Sequence, residues 1–126
     1  MACAVSSLES LALPAQTARH RISRSAGGTI EVTRLTDTLV VGNVAVRIDR
    51  DVLEFQSVCI QDDARGYGAG TDTVRLLLAA ATPMCRLATA FAPADNGLAV
   101  YFWTRMGFRP CFGHGARGLR FERELG

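Results

Sequence analysis

The sequence predicts one α/β (α+β) domain built on a mixed, mostly antiparallel central sheet flanked by helices. Three observations lead to this class. Three runs rich in β-branched residues follow one another with short turns, a glycine-rich turn then changes the hydrophobic period from two to about 3.6, and a further strand, helix and pair of strands follow. With 126 residues and 48% hydrophobic content, the chain can fill one core but is too short for two domains.

The three β-rich runs, at 29–35, 39–48 and 52–60, predict an antiparallel meander. The connections between them are too short for the crossover that parallel strands require. Before residue 29 the pattern from 6 to 24 is weakly helical and is interrupted by Pro14. We therefore expect an N-terminal segment, 1–28, that is a reduced helical region or partly disordered, and a main domain at 29–126.

The second half predicts two helices and three strands. Apolar residues recur at helical spacing from Val74 to Ala81, and Pro83 marks the end of that helix. A strand is expected at 85–91, and the final strands at 108–112 and 119–125 are separated by the loop 113–118.

The second helix is expected to begin at Asp95 or Asn96 and to stop at Gly107. Its spacing places three residues in the core, namely Leu98, Phe102 and Met106.

The charged residues exclude several enzyme classes. All fourteen basic residues are arginine, so neither a lysine nucleophile nor a P-loop lysine exists. Twelve acidic residues leave a formal charge of only +2, which argues against nucleic acid as a partner. Binding through the basic residues at 19–24 and 105–123 remains a weaker alternative.

The cysteines predict no metal site, because Cys3, Cys59, Cys85 and Cys111 lie too far apart for a zinc or redox pair. We expect buried free thiols, since Cys59 and Cys85 fall in apolar segments, with a disulfide framework as the alternative. The start lacks a basic region typical of a signal peptide, and no apolar run approaches the roughly 20 residues that cross a bilayer. The expected location is the cytoplasm, without a membrane partner.

The glycine-rich turn at 65–70, between a strand and a helix, is suited to holding a phosphate group. Glycines let the backbone approach the anion, and the first N–H groups of the helix point at it. The P-loop pattern is excluded without lysine, and the dinucleotide pattern needs a third glycine one position later. A tight turn without a ligand is the remaining alternative.

Two motifs resemble the GNAT superfamily of N-acetyltransferases. Residues 65–70 match its [RQ]-x-x-G-x-[GA] signature, and residues 96–108 resemble its N-x-x-A-x-x-[FL]-Y-x-x-x-G-F helix and strand, with Trp103 at the tyrosine position. The resemblance covers 39 to the C-terminus. It implies the GNAT fold with a shortened N-terminal part, because members usually carry a first strand and two helices before the meander.

By this resemblance, acetyl-CoA is the co-substrate and its acetyl group passes directly to a primary amine. The strand ending at Ile60 and the strand at 85–91 should splay apart around the pantetheine arm, and the turn should bind the diphosphate. The implied cofactor-binding residues are Val58, Cys59, Ile60, Arg65, Gly66, Tyr67, Gly68, Ala69, Gly70, Thr71, Asn96 and Trp103.

The catalytic candidates are less defined. Glu54 is the candidate base, with a solvent-facing strand residue as the alternative. Tyr101 is the nearest tyrosine for the general acid, but it lies about 200° around the helix from Trp103 and should face away, which leaves the acid unassigned. His114 is a weaker candidate on the acceptor side.

Two further points stay open in the sequence. An acyl-CoA sensor or regulatory subunit without catalysis is the alternative function, motivated by Trp103 and the short N-terminus. The sequence does not identify the acceptor amine, which is either a small molecule or a protein. A homodimer could complete an open acceptor site.

Overall fold

The computed structural model describes residues 11–66, 68–93, 95–115 and 118–125, with the backbone alone at 112–115. In chain order its elements are β1 (Ala15–Gln16), β2 (His20–Arg24), β3 (Ile30–Arg34), β4 (Leu39–Asp49), β5 (Val52–Ile60), a 3₁₀ turn (Asp62–Ala64), α1 (Ala69–Ala81), β6 (Leu87–Ala92), α2 (Gly97–Arg105), β7 (Arg109–Gly115) and β8 (Gly118–Glu124).

The strands form one mixed sheet in the order β1-β2-β3-β4-β5-β6-β8-β7. All neighbours are antiparallel except β5 and β6, which α1 connects as a crossover helix. The predicted meander and the mostly antiparallel sheet are confirmed. Neither helix within the described ranges has the length and apolar character needed to cross a membrane.

One face of the sheet is apolar and carries the core. On β4 the buried residues Val44, Val46 and Ile48 alternate with exposed polar ones such as Arg47. The first helix packs over β2, β3 and β5, and Trp103 of α2 reaches Phe55 of β5. Each aliphatic side chain buried there contributes about 1.5–3 kcal/mol to folding.

The N-terminal segment corrects a prediction, because residues 15–16 and 20–24 form strands rather than a helix. Five residues of β2 pair with β3, and His20 and Ile22 are buried while Arg21 is exposed. Pairing to a preformed sheet edge outweighs a weak helical tendency. The described part of the segment 1–28 thus extends the same sheet.

The second helix ends where predicted, and Met106 is buried as expected, but Leu98 is not. Leu98 is 83% exposed, whereas Trp103 and Met106 are 6% and 5% exposed. Leu98 lies about 140° around the helix from Trp103, so both cannot face the sheet, and the larger ring takes the core position. The core assignment of Leu98 was therefore wrong.

The loop expected at 113–118 is mostly strand. The seventh strand continues through Gly115, and β8 begins at Gly118. The register of β7 and β8 shifts between Cys111 and His114, and the pairing continues to Gly115 and Gly118.

Candidate functional site

The site begins where β5 and β6 separate. They pair at only three positions, of which the last joins Glu54 and Thr89, yet β5 continues to Ile60 and β6 to Ala92. On its other edge β5 stays paired with β4 as far as Ile60. Over 55–60, one edge of β5 therefore has main-chain groups that make no ladder with β6 and can pair with an extended ligand.

We call the place where β5 and β6 separate the fork. A β-bulge lies just beyond it on β5. Ala45 of β4 faces Ser57 and Val46 faces Phe55, so Gln56 is an additional residue on β5. A bulge increases the local twist and turns the strand. Both Gln56 and Ser57 are exposed at this bend and border the open side of the fork.

The fork opens into a cleft of about 700 Å³. Many of the residues predicted to bind the cofactor line it together: Val58, Ile60, Arg65, Gly66, Gly68, Ala69, Gly70, Thr71, Asn96 and Trp103. The prediction missed several others: Phe55, Gln56, Ser57, Ala64, Phe91, Leu98, Ala99, Phe102 and Arg105. The motif at 96–108 could have indicated Phe102, which fills its [FL] position and whose ring would lie 3.5 Å from a Cβ built on Gly70.

The N-terminus of α1 faces this cleft without a side-chain cap. Gly68 precedes the helix with φ +85°, a left-handed conformation that side chains disfavour. The N–H groups at 69–71 have no acceptor within the helix, because the first bond of the helix is the one from the Asp72 N–H to the Gly68 carbonyl at 2.8 Å. The helix dipole places partial positive charge at this end. Together they form an anion-binding end, as the phosphate interpretation requires.

Arg65 is held at the rim of the loop. Its Nη1 lies 3.2 Å from Asp62 Oδ1, and its Nε–H donates to the Ile60 carbonyl at 3.1 Å. The side chain is 68% exposed, so the charge remains accessible from the cleft.

An aromatic cluster forms the inner wall. Trp103 lies with its ring centroid 5.3 Å from Phe55, 5.0 Å from Phe102 and 5.0 Å from Phe108. Because Trp103 is only 6% exposed, it mainly packs α2 on the sheet, and little of its surface contributes to the cleft.

Asn96 also has a structural role. Its side-chain oxygen accepts the Ala99 backbone N–H at 3.1 Å and caps α2, as predicted. The side-chain NH2 group of Asn96 takes no part in this cap and can donate to a ligand.

Two predicted residues, Cys59 and Tyr101, do not line the cleft. Cys59 is exposed between Val58 and Ile60, which line the cleft, so its side chain points to the other side of β5. Tyr101 is 62% exposed outside the cleft, with the Arg105 guanidinium 5.7 Å from its ring centre. This position agrees with the expectation that Tyr101 faces away from Trp103. It does not support Tyr101 as a catalytic group. Tyr67 lies outside the described residues.

Glu54 is the last residue of β5 that pairs with β6, at the point where the two strands separate. It is 8% exposed, and its Oε1 accepts from Arg47 Nη2 at 2.9 Å. Since it alternates with the cleft residue Phe55, its side chain is on the opposite face of the sheet from the helices. His114 lies in β7 opposite Leu119, not in a loop, and its side chain is outside the description.

The described cysteines are all free, but only one is fully buried. Burial of Cys85, with the negative charge of Asp51, raises the pKa of that thiol, so it stays protonated at neutral pH. The expectation that Cys59 is buried was wrong, because alternation on β5 places it on the exposed face.

A polar cluster lies beside the N-terminus of α1. Asp72, in the first turn of α1, is 4% exposed and accepts hydrogen bonds from His20 Nδ1 at 2.7 Å and Thr17 Oγ1 at 3.0 Å. Arg19 Nη2 lies 3.3 Å from the other carboxylate oxygen. Burial raises the pKa of Asp72, but the hydrogen bonds and the positive charge of Arg19 outweigh it, so the pKa is below its ordinary value.

Comparisons with known proteins identify the fold. No protein-family model matches the sequence, and no curated protein matches it. Among solved structures, the chain resembles one described as an acyl-CoA N-acyltransferase from Klebsiella pneumoniae subsp. pneumoniae, with a TM-score of 0.67 and 17% identity over 99% of this chain and 86% of that one.

Two further structures share the architecture. The ribosomal-protein-S18-alanine N-acetyltransferase of Escherichia coli has a TM-score of 0.66 and 12% identity, covering 87% of this chain and 72% of that one. The PaiA N-acetyltransferase of Thermoplasma acidophilum, in complex with coenzyme A, also has a TM-score of 0.66 and 12% identity, covering 77% and 60%. This chain has the fold of the GNAT superfamily, and the resemblance stated from the sequence is confirmed at that level.

Proposed function

We propose that this protein is an N-acetyltransferase that transfers the acetyl group of acetyl-CoA directly to a primary amine. The observation that carries the proposal is the fork between β5 and β6, which opens onto an uncapped helix N-terminus within one cleft. An extended, amide-containing arm that ends in a diphosphate matches both features. The GNAT fold supports the same ligand, because a structure with this fold holds coenzyme A.

In this proposal each part of acetyl-CoA has a partner in the cleft. The diphosphate lies on the first turn of α1, with Arg65 at the rim. The pantetheine amides pair with the free edge of β5 at Val58 and Ile60. The thioester then lies near the bulge, where a main-chain N–H of β5 stabilises negative charge on its carbonyl oxygen.

The transfer itself needs two proton movements. The neutral amine attacks the thioester carbonyl, the C–S bond breaks, and the thiolate of coenzyme A leaves. The ammonium proton passes to Glu54, directly or through water, from its position at the end of the fork. Trp103 cannot act as the acid, but a thiol with a pKa of about 8.5 is a leaving group that solvent can protonate.

The acceptor is a primary amine of unidentified size, a small molecule or a protein terminus or side chain. The sheet face that carries Glu54 also exposes polar residues, including Arg21, Asn43 and Arg47. An acceptor approaching from this face would meet a hydrophilic surface. A homodimer that completes this side, and a cytoplasmic location, remain predictions, and light scattering tests the former.

The test is release of free thiol from acetyl-CoA in the presence of a panel of amines. We expect turnover with at least one acceptor, and Glu54→Gln should lower kcat by about 10²–10⁴-fold, the usual contribution of a general base. Glu31→Gln on β3, which β4 separates from β5, is the control and should leave the rate unchanged. Absence of any heat on titrating folded protein with acetyl-CoA would remove the proposal.

A second candidate function is an acyl-CoA sensor without catalysis. It is favoured by Trp103 at the position of the expected tyrosine and by the ion pair that engages Glu54. Binding of acetyl-CoA without thiol release across the whole amine panel would support the sensor.

A further inference from the structure

The carboxylate of Asp72 raises an electrostatic problem at the proposed diphosphate site. It lies in the first turn of the same helix whose N-terminus would receive the diphosphate. There it complements the helix dipole, but it also repels a second anion at that end. Because Asp72 is buried, salt screens this repulsion only weakly.

Arg19 lies where it can offset this repulsion. It precedes β2, outside both sequence motifs, and its Nη2 is 3.3 Å from Asp72 Oδ1. A Cβ built on Gly68 would come within 2.8 Å of Nη2 and 3.2 Å of Nη1, so the guanidinium lies directly against the phosphate-binding loop.

Part of the guanidinium is still available to a ligand. The Arg19 side chain is 61% exposed, and among the described residues its only side-chain hydrogen bond is the one to Asp72. Its N–H groups outside that bond can therefore donate to a phosphate oxygen next to Gly68.

Hydrogen bonds of the neighbouring residues His20 and Thr17 fix the position of Arg19. His20, the next residue, is 3% exposed and bonds the second Asp72 oxygen at 2.7 Å. Thr17 Oγ1 donates to the same oxygen and also accepts the backbone N–H groups of Arg19 and His20, each at 3.1 Å. These bonds tie the turn between β1 and β2 to the first turn of α1.

We propose that Arg19 is a further coenzyme-binding residue, which neutralises Asp72 and donates to the diphosphate from outside the glycine-rich loop. This inference rests on the proposed function, since it takes coenzyme A as the ligand. It deepens that function by bringing the β1–β2 turn of the short N-terminal region into the coenzyme site.

The experiment measures the affinity of wild type and Arg19→Gln for coenzyme A, 3′-dephospho-coenzyme A and acetyl-pantetheine, which lacks every phosphate. Arg19→Gln should weaken binding of both diphosphate ligands by about tenfold or more, the effect of one charge-assisted hydrogen bond. Binding of acetyl-pantetheine should not change. Arg21→Gln, two residues along and bonded to Gln16, is the matched control and should bind all three ligands like wild type.

A double variant separates electrostatics from structure. Asparagine at 72 keeps an oxygen that accepts from His20 or Thr17 but removes the charge, so Arg19→Gln/Asp72→Asn should recover part of the affinity that Arg19→Gln loses. If Arg19 only holds the fold, Arg19→Gln will instead weaken all three ligands alike, no recovery will occur, and the inference is overturned.

The outcomes also separate this inference from the proposed function. If wild type binds coenzyme A and Arg19→Gln binds it equally well, the inference fails while the function stands. If wild type binds none of the three ligands, the proposed function fails.

Discussion

At the scale of single residues, Gly68 is where backbone conformation and proposed function coincide. Its φ of +85° is unfavourable for any residue with a Cβ, and a side chain there would also displace Arg19. We expect Gly68→Ala to lower the free energy of unfolding by about 1–2 kcal/mol.

The control for that change is Gly27→Ala. Gly27 has neither a positive φ nor an atom within 4 Å of a built Cβ, so alanine should alter stability by no more than about 0.5 kcal/mol. Urea unfolding of the two variants gives the comparison. Equal stabilities would contradict the strained geometry assigned to the loop.

The residues of the site differ in how readily the sequence reveals them. The turn at 65–70 is contiguous in the sequence, and its glycines allow the close backbone approach that an anion needs. The local sequence is therefore sufficient to predict this turn as a candidate site. The contact of Arg19 with Asp72 joins positions 53 residues apart, and only the sheet brings them together. From the sequence, Arg19 and His20 belonged to a basic group considered for nucleic acid, whereas in the structure both side chains turn towards Asp72.

At the scale of elements, the N-terminal cap of α2 can be tested by substitution. Asn96→Ala should destabilise the protein by about 1 kcal/mol, because the Ala99 N–H loses its acceptor at a helix end. Asn96→Asp keeps an acceptor and should retain most of the stability. Thermal unfolding of both variants decides, and an Asn96→Ala protein as stable as wild type would show that the cap is not used.

Predictions of elements succeeded where one pattern dominated. The strands β3, β4 and β5 are long and β-branched, and their bounds were predicted within a residue or two. The N-terminal strands were missed because β1 has only two residues and β2 takes its conformation from pairing with β3. In α2 the helix and the burial of Met106 were predicted, but Trp103 rather than Leu98 is buried, since apolar residues occur on more than one side of the helix.

At the scale of the whole molecule, the Asp72 cluster links stability to pH. The pKa of Asp72 is lowered in the folded protein, so its contribution is complete above the unfolded value of about 3.8 and is lost as pH falls through the lower folded value. Asp72→Asn should be about 1–3 kcal/mol less stable than wild type at pH 7.

The difference in the free energy of unfolding between wild type and Asp72→Asn should narrow once the pH falls below about 3.8. Urea unfolding at several pH values between 3 and 7 measures it. A constant difference across the range would contradict a paired, ionised Asp72.

The fold as a whole followed from the order of elements, but the surroundings of the proposed base Glu54 did not. Glu54 was placed on the correct strand, yet its partner Arg47 and its side of the sheet depend on the register between β4 and β5. Register is set by long-range pairing and by the bulge at Gln56, neither of which a local pattern encodes.

The claim that the first turn of α1 receives a diphosphate is tested most directly by calorimetric titration of coenzyme A into two variants of Gly70. A Cβ at Gly70 would lie 3.5 Å from the Phe102 ring, an ordinary contact, so Gly70→Ala should bind within about threefold of wild type. Gly70→Glu adds a carboxylate to the cleft at the helix end and should weaken binding by about 100-fold or more. Wild-type affinity in Gly70→Glu would contradict the account.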